Sequence, residues 1–252
     1  MTLNSIQAIP LKRSIMNLIL LDLADIDADG YAWVRDPRRV RHLHEVHGVA
    51  SGDELTLGIL GGAIGRGRLI SLGEHEACFE VIRLELSPPA PLPVHLVLAL
   101  PRPRMLARSL EHVTALGVKH ITLLHTRRVE KSYWQSPELA PGRIRDHLWL
   151  GLEQARDTVL PEVTLERRFK PFVEDRLPEL LQGRRGLFAH PGMPSACPRG
   201  IGDDTLLLVG PEGGFIPYEV ERLLDAGCQG VHLGERILRV ETAVTALLAR
   251  LF

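Results

Sequence analysis

The segment TLLLVGPEGGFIPYEVERLLDAG, residues 205–227, decides the fold of this chain. Its continuous apolar start predicts a buried strand over 205–210, and the helix that follows has Pro217 in its first turn and Gly227 after its end. The turn GPEGG therefore follows the carboxyl end of a strand, where open α/β sheets bind ligands. Glu212 is an acid in this turn without an evident packing role. The alternative interpretation is a tight turn with a capping acid.

A second segment, GVHLGERILRVETAVTALLARLF at residues 230–252, has the same order of elements. A strand over 230–234 is followed by a loop and by a terminal helix over 240–251. Ile237 and Leu238 are apolar residues in a turn that should be solvated, which suggests a wall against a flat apolar group such as an adenine ring. The other interpretation is that they tuck into the core beneath the loop.

Earlier segments extend this alternation of strands and helices. Apolar runs predict buried strands over 94–100, 120–125 and 186–191, and a helical pattern over 105–117 ends at Gly117. Strands that are apolar throughout are typical of parallel sheets covered by helices on both faces. We therefore expect an α/β domain with a parallel sheet.

Residues 54–85 have a different pattern, with short apolar runs separated by glycine-rich or charged turns. Strands at this spacing predict a small antiparallel barrel or sandwich. The next segment, SPPAPLP at residues 87–93, has four prolines in seven positions. Because such a segment can continue neither a helix nor a central strand, it is interpreted as an interdomain linker.

The composition limits the possible partners and compartments. The 252 residues include 30 Lys and Arg against 31 Asp and Glu, and the formal charge of −1 argues against a generic polycation that coats nucleic acid. Only four of the 30 basic residues are lysines; arginine suits phosphate contacts, although codon bias explains the excess equally well. Three cysteines without C-x-x-C spacing, and no signal-peptide or membrane-spanning pattern, predict a cytoplasmic protein.

Other motifs of catalytic proteins are missing or incomplete in the sequence. There is no G-x-G-x-x-G after a strand and no P-loop, which disfavours a Rossmann-type dehydrogenase or methyltransferase. His42, His44 and His47 form H-x-H-x-x-H, but no Cys or Asp nearby completes a metal site, so a surface or RNA contact is favoured and no metal is expected. Ser109 and Ser195 lack the G-x-S-x-G elbow of a serine hydrolase.

The two carboxyl-terminal motifs, GPEGGF (210–215) and LGERILRVETA (233–243), resemble those of the SPOUT methyltransferases, and within that class the RsmE family. Shorter similarities occur in the same order along the chain: H-x-x-x-V at 42–46, GDEL at 52–55, ALP at 99–101, TALGV at 114–118, EQ at 153–154 and PEV at 161–163. The resemblance spans about residues 35–252. Two positions depart from it: Val46-His47-Gly48 stands where many members carry V-L-R, and Arg156 stands one residue early in the pattern E-Q-S-x-R.

This resemblance implies an architecture and an activity. The architecture is a PUA-like β-barrel that binds RNA (1–86), the linker (87–93) and an α/β SPOUT domain with a carboxyl-terminal trefoil knot (94–252), in a homodimer. The activity is S-adenosylmethionine-dependent methylation of N3 of a uridine in small-subunit (16S) ribosomal RNA. The alternatives are a SPOUT methyltransferase for another rRNA or tRNA position, and a non-catalytic RNA-binding assembly factor of the same fold.

The resemblance also assigns residues to roles. The cofactor would be held by Gly210, Pro211, Glu212, Gly213, Gly214, Leu233, Gly234, Ile237, Leu238 and Arg239. For catalysis, Arg239 would stabilise charge that develops on the uracil, Glu212 or Glu241 would be the base, and Thr242 would orient the base or the uracil. The cations expected to bind RNA are Arg38, Arg39, Arg41, Arg104, Arg108, Arg127, Arg128 and Lys131.

Overall fold

A computed structural model describes residues 18–45 and 49–252, in which the strands form two sheets. Val46, His47 and Gly48 of the sequence motifs lie outside the described residues. The first sheet has the strand order β1-β3-β4-β5-β2 and consists of β1 (Ile19–Leu21), β2 (Tyr31–Val34), β3 (Glu54–Ile59), β4 (Ile64–Leu72) and β5 (Ala77–Leu86). Helix α1 (Pro37–Glu45) follows β2.

The strands over residues 54–85 pair antiparallel, as the sequence predicts, and the one parallel pair involves a strand outside that range. The pairs β3–β4, β4–β5 and β5–β2 are antiparallel, whereas β1 is parallel to β3, with Ile19 opposite Leu57. One face buries a core that includes Leu21, Val40 and Phe79. The parallel edge arises because β1 comes from an apolar run far from the hairpins, so no tight turn sets its direction.

The second sheet is parallel throughout its seven strands, in the order β10-β12-β9-β11-β6-β7-β8. Its strands are β6 (Val94–Ala99), β7 (His120–Leu124), β8 (Glu162–Glu166), β9 (Arg185–Ala189), β10 (Ser195–Ala196), β11 (Thr205–Val209) and β12 (Gln229–His232). Its helices are α2 (Pro103–Ala115), α3 (Pro141–Ala155), α4 (Phe169–Pro171), α5 (Leu177–Leu181), α6 (Pro217–Asp225) and α7 (Val240–Leu251), with a π-helical turn over Phe172–Arg176.

Helices cover both faces of this sheet, which is why its central strands are apolar throughout. One core joins the sheet to α2, α3 and α7 and includes Leu98, Leu110 and Leu247. The other joins it to the segment 169–181 and α6, and includes Phe172 and Leu223. The predicted α/β arrangement of this part of the chain is thus present, and all carboxyl ends of its strands lie at one edge.

The two sheets are packed against each other through helix α3. Leu18, Leu20 and Ile64 of the first unit form a buried cluster with Trp149 and Leu152 of α3. Residues 87–93 connect the end of β5 to the start of β6. Among the residues that the structure describes, no helix combines the length and apolar character needed to cross a membrane.

Candidate active site

Three loops meet at the carboxyl edge of the second sheet and enclose a cleft. They follow β9, β11 and β12, which are neighbours in the sheet. Eight of the ten residues predicted to hold a cofactor line this cleft: Gly210, Pro211, Glu212, Gly214, Leu233, Gly234, Ile237 and Leu238. Gly213 and Arg239 are outside the lining. The two motifs of the sequence thus contribute to one cavity, although about 20 residues separate them.

Glycines give the loops their course around the cleft. Gly214 has φ of +72° and Gly234 has φ of +116°, a region that side chains rarely adopt. The Gly214 amide donates to Pro211 O at 2.7 Å and closes the turn after β11. The course of these loops around the cleft therefore depends on backbone conformations that glycine favours.

The remaining walls of the cleft are apolar. Val209 and Val231 at the strand ends and Ala243 of α7 line it beside the loop residues. Ile237 is 79% exposed and Leu238 is 37% exposed. The alternative that these two side chains tuck into the core is wrong, and their exposure leaves an apolar surface for a flat ring to pack against.

Sequence reasoning missed several residues of the cleft, among them one histidine and one arginine. His190 follows β9 and lines the cleft, as does Arg236 of the loop after β12. Burial and the nearby Arg128 lower the pKa of His190, whose buried Nδ1 atom has no hydrogen-bond partner among the described residues. The strand GLFAHP was predicted, but only the strand order β12-β9-β11 brings the residue after it to this site.

The predicted catalytic residues have different positions around the cleft. Glu212 lines it, with Oε1 3.8 Å from Nε of Arg102. Arg239 is exposed and immediately precedes α7, while Glu241 and Thr242 lie in the first turn of that helix. These last three residues are adjacent to the lining residues Leu238, Val240 and Ala243 without being among them.

Exposed cations occupy the same edge of the sheet beside the cleft. Arg127, Arg128 and Lys131 lie on the loop after β7, and Arg104 and Arg108 lie on α2, which follows β6. The Arg128 guanidinium donates to the carbonyl oxygen of Gly213. The predicted RNA-binding residue Arg128 thus touches the predicted cofactor loop directly.

The three arginines of α1 that were predicted to bind RNA, Arg38, Arg39 and Arg41, differ in their exposure to solvent. Arg39 is 9% exposed, its Nη1 donates to Leu20 O at 2.5 Å, and its guanidinium lies over the ring of Trp149. Its burial between the two units argues against the predicted RNA contact. Arg38 is half exposed and paired with Glu153, whereas Arg41 is exposed.

Sequence comparison identifies relatives of this chain among RNA methyltransferases. The sequence model of a family described as RNA methyltransferase domain matches residues 88–252. Ribosomal RNA small subunit methyltransferase E of Treponema pallidum is 33% identical over 249 residues, covering 93% of this chain and 90% of that relative. The protein of the same name from Mycobacterium bovis is 27% identical over 215 residues, covering 82% and 80% of the two chains.

Solved structures share the fold. Ribosomal RNA small subunit methyltransferase E of Neisseria gonorrhoeae, bound to S-adenosylmethionine, superposes with a TM-score of 0.71 at 24% identity, covering 93% of this chain and 96% of that one. A Legionella pneumophila protein in complex with the same cofactor gives 0.73 at 21% identity, with 92% and 95% covered. The family match over 88–252 and the identity with the Treponema relative along nearly the whole chain show that this protein belongs to the ribosomal RNA small subunit methyltransferase E family of RNA methyltransferases.

Proposed function

We propose that this enzyme transfers a methyl group from S-adenosylmethionine to N3 of a uridine in small-subunit ribosomal RNA. The observation that carries the proposal is the cleft at the carboxyl edge of the second sheet, where the motifs GPEGGF and LGERILRVETA meet. The names of the Treponema and Mycobacterium relatives support the ribosomal substrate, and the cofactor seen in the Neisseria structure supports the methyl donor. Ribosomal RNA as the substrate is consistent with a cytoplasmic enzyme.

The residues present fit S-adenosylmethionine. Ile237 and Leu238 would pack against the adenine ring, since both line the cleft and are exposed. Backbone groups of Gly210, Leu233 and Gly234 would face the polar parts of the cofactor, and an added Cβ at Gly234 would project into open space. When bound, S-adenosylmethionine supplies an electrophilic methyl group on a sulfonium centre.

The protein side of the reaction is the handling of a proton and of negative charge. Uracil N3 carries an imide proton, so its methylation requires a proton acceptor and stabilisation of charge on O2 and O4. Glu212 or Glu241 would accept the proton; Glu212 lines the cleft, which favours it. Arg239, exposed at the start of α7, would stabilise the charge, and Thr242 would orient the uracil or the base.

The RNA would lie across the cations at the same edge. Arg104, Arg108, Arg127, Arg128 and Lys131 are exposed around the ends of β6 and β7, beside the cleft. They could hold phosphates on either side of a uridine that has left its stack, as enzymes that act on base edges require. Arg41 would extend this surface onto α1.

The finer features of the architecture are part of the proposal. Residues 1–86 would be a PUA-like RNA-binding barrel and residues 94–252 a SPOUT domain with a trefoil knot. A second copy of the chain would pack on the face of α7 that carries Ala246 and Ala249, next to Phe252. That groove shares Leu233 and Leu238 with the cleft, so a homodimer would enclose the cofactor more fully.

The test is a methylation assay with nucleoside analysis. Purified protein, S-adenosylmethionine and small-subunit ribosomal RNA, free or in assembled subunits, should yield 3-methyluridine detectable by mass spectrometry. A different methylated nucleoside would assign another position. Failure to bind S-adenosylmethionine at millimolar concentration would instead favour a non-catalytic assembly factor. Sedimentation equilibrium tests the homodimer.

A further inference from the structure

A buried carboxylate joins the loop after β7 to the loop after β11. Glu219 lies in the first turn of α6 and is 2% exposed. Its Oε2 accepts a hydrogen bond from the backbone N–H of Ile216 at 2.9 Å, and its Oε1 accepts one from the backbone N–H of Arg127 at 2.7 Å. The first bond is the ordinary cap of a helix start. The second reaches a residue 92 positions earlier in the chain.

A second contact ties the same two loops together. The guanidinium of Arg128 donates to Gly213 O, and a Cβ added to Gly213 would lie 2.9 Å from Cδ of Arg128. The two contacts come from neighbouring residues of one loop and reach Gly213 within the GPEGG turn and Glu219 just after it. Two hydrogen bonds therefore join the loop after β7 to the segment that follows β11.

The outer surfaces of the two loops serve different ligands in the proposed function. The loop after β7 presents the exposed cations Arg127, Arg128 and Lys131, and the loop after β11 lines the cleft with Gly210, Glu212 and Gly214. Glu219 faces neither ligand, since it is buried between the loops. Its role is thus confined to the relative position of the two loops.

We infer that Glu219 is a positioning residue that couples RNA binding on the loop after β7 to cofactor binding on the loop after β11; the inference rests on the proposed function. Both carboxylate oxygens are occupied by backbone donors, one from each loop. A displacement of one loop alone would leave a backbone N–H and a buried carboxylate oxygen unpaired, which is unfavourable. A ligand that orders one loop therefore also favours the bound position of the other.

The decisive variant is Glu219→Gln. The amide keeps the shape of the carboxylate but has only one acceptor oxygen, so one of the two backbone N–H groups loses its partner. Glu219→Asp is a second variant that retains the charge but is one methylene shorter, so it cannot span both loops. Either variant should weaken one of the two contacts between the loops without altering a group that touches the cofactor or the RNA.

Asp157→Asn is the matched control. Asp157 is a carboxylate that is also 2% exposed, and its Oδ1 accepts from Val159 N at 2.9 Å while its Oδ2 accepts from Lys119 Nζ at 2.5 Å. It lies by the start of β7, at the opposite edge of the sheet from the cleft. Its loss removes a comparable buried network without touching either loop.

The measurement is the Kd of the full chain for transcribed small-subunit RNA, with and without saturating S-adenosylhomocysteine. We expect the wild-type protein to bind RNA at least about fivefold more tightly with S-adenosylhomocysteine, the lower range of typical coupling. The ratio should fall below about twofold in both Glu219 variants and stay at the wild-type value in Asp157→Asn. A retained ratio in the Glu219 variants, or an equal loss in the control, would overturn the inference.

The measurements distinguish a failure of the inferred coupling from a failure of the proposed function. If the wild-type protein neither binds S-adenosylmethionine in calorimetry nor methylates RNA, the proposed function fails. If it does both but binds RNA equally well with and without S-adenosylhomocysteine, the coupling fails and the proposed function stands.

Discussion

Nη1 of Arg38 lies 3.3 Å from Oε2 of Glu153, and this ion pair joins α1 to α3 across the contact between the two units. The Glu153 side chain is only 7% exposed, and its Oε1 accepts a hydrogen bond from Nε1 of Trp149 at 3.2 Å. Burial raises the pKa of Glu153 above its ordinary value of 4.5, although the cationic Arg38 and Arg39 oppose that rise. The arginine therefore stabilises a charge that burial disfavours.

Arg38→Ala should destabilise the protein more at pH 8 than at pH 5. A raised carboxyl pKa means that the stabilising contribution is present at low pH and lost as pH rises through the folded-state pKa, and removal of Arg38 raises that pKa further. We expect a loss of about 1–3 kcal/mol at neutral pH from the unpaired buried carboxylate. Urea unfolding at the two pH values measures it.

The double variant Arg38→Ala with Glu153→Gln is the control for this charge effect. The Gln side chain is uncharged and keeps an acceptor for the Trp149 N–H, so most of the lost stability should return. Equal destabilisation at both pH values, with no recovery in the double variant, would contradict the electrostatic explanation.

Arg41→Ala should affect RNA binding rather than stability. Arg41 is exposed on α1, whereas Arg39 of the same helix is buried. One lost phosphate contact lowers the slope of log affinity against log salt by about 0.7–0.9. Filter binding at several salt concentrations gives this slope. The control is Arg185→Ala, because Arg185 is exposed at the amino edge of β9, and this variant should keep the wild-type slope. An unaltered slope in Arg41→Ala would show that α1 is not part of the RNA surface.

The sequence predicted those parts of the site that depend on local order. The loops after β11 and β12 follow strands and precede helices in the chain itself, so Gly210 and Leu238 could be assigned without knowing the strand order. His190 could not, because it reaches the cleft only through the insertion of β9 between β12 and β11. The role of Glu219 was not predicted either, because its partner Arg127 is distant in sequence.

The sequence also failed to predict which charged residues are buried. The sequence predicts that Arg39 on α1 binds RNA, yet Arg39 packs on Trp149 and bonds to Leu20 O. Those partners lie on α3 and β1, and nothing in the local pattern of α1 indicates them. The π-helical turn over Phe172–Arg176 likewise has no pattern that the hydrophobic period could reveal.

His95→Gln should make the protein less sensitive to acid. Burial, with His120 and Arg184 contributing, lowers the pKa of His95 to about 4, and its Nε2 lies 2.8 Å from Thr122 Oγ1. A depressed pKa gives stability that is present above the unfolded value near 6.5 and is lost as pH falls toward 4. The wild-type free energy of unfolding should fall in this window by up to about 1.4 kcal/mol per pH unit.

The variant lacks this titration, so its pH dependence between these limits should be shallower in urea unfolding. His75→Gln is the control, since His75 is exposed on the turn between β4 and β5 and should leave the slope as it is. Parallel curves for His95→Gln and the wild-type protein would contradict the assignment.

Gly234→Ala should weaken cofactor binding through backbone strain alone. Gly234 has φ of +116°, and an added Cβ would meet nothing within 4 Å. A non-glycine residue with such a φ costs about 1–3 kcal/mol, so calorimetry should show S-adenosylmethionine binding weaker by roughly tenfold or more. Gly142→Ala, also without a neighbour within 4 Å but at the start of α3, should bind normally. Normal S-adenosylmethionine binding by Gly234→Ala would contradict this prediction and show that the loop after β12 binds the cofactor in another conformation.

Arg239→Ala should separate catalysis from cofactor binding. Arg239 is exposed and lies next to the cleft without lining it, so its guanidinium is free to meet a substrate rather than the cofactor. Loss of this cation removes stabilisation of the charge that develops on the uracil, so methyl transfer in a single-turnover assay should be abolished. Calorimetry should find S-adenosylmethionine affinity within about tenfold of wild type, which is about 1.4 kcal/mol. Arg236→Ala is the informative comparison, because Arg236 does line the cleft and its loss should affect cofactor affinity. If Arg239→Ala instead loses cofactor binding outright, the residue holds the loop after β12 in place and the charge must be stabilised by another cation of this edge.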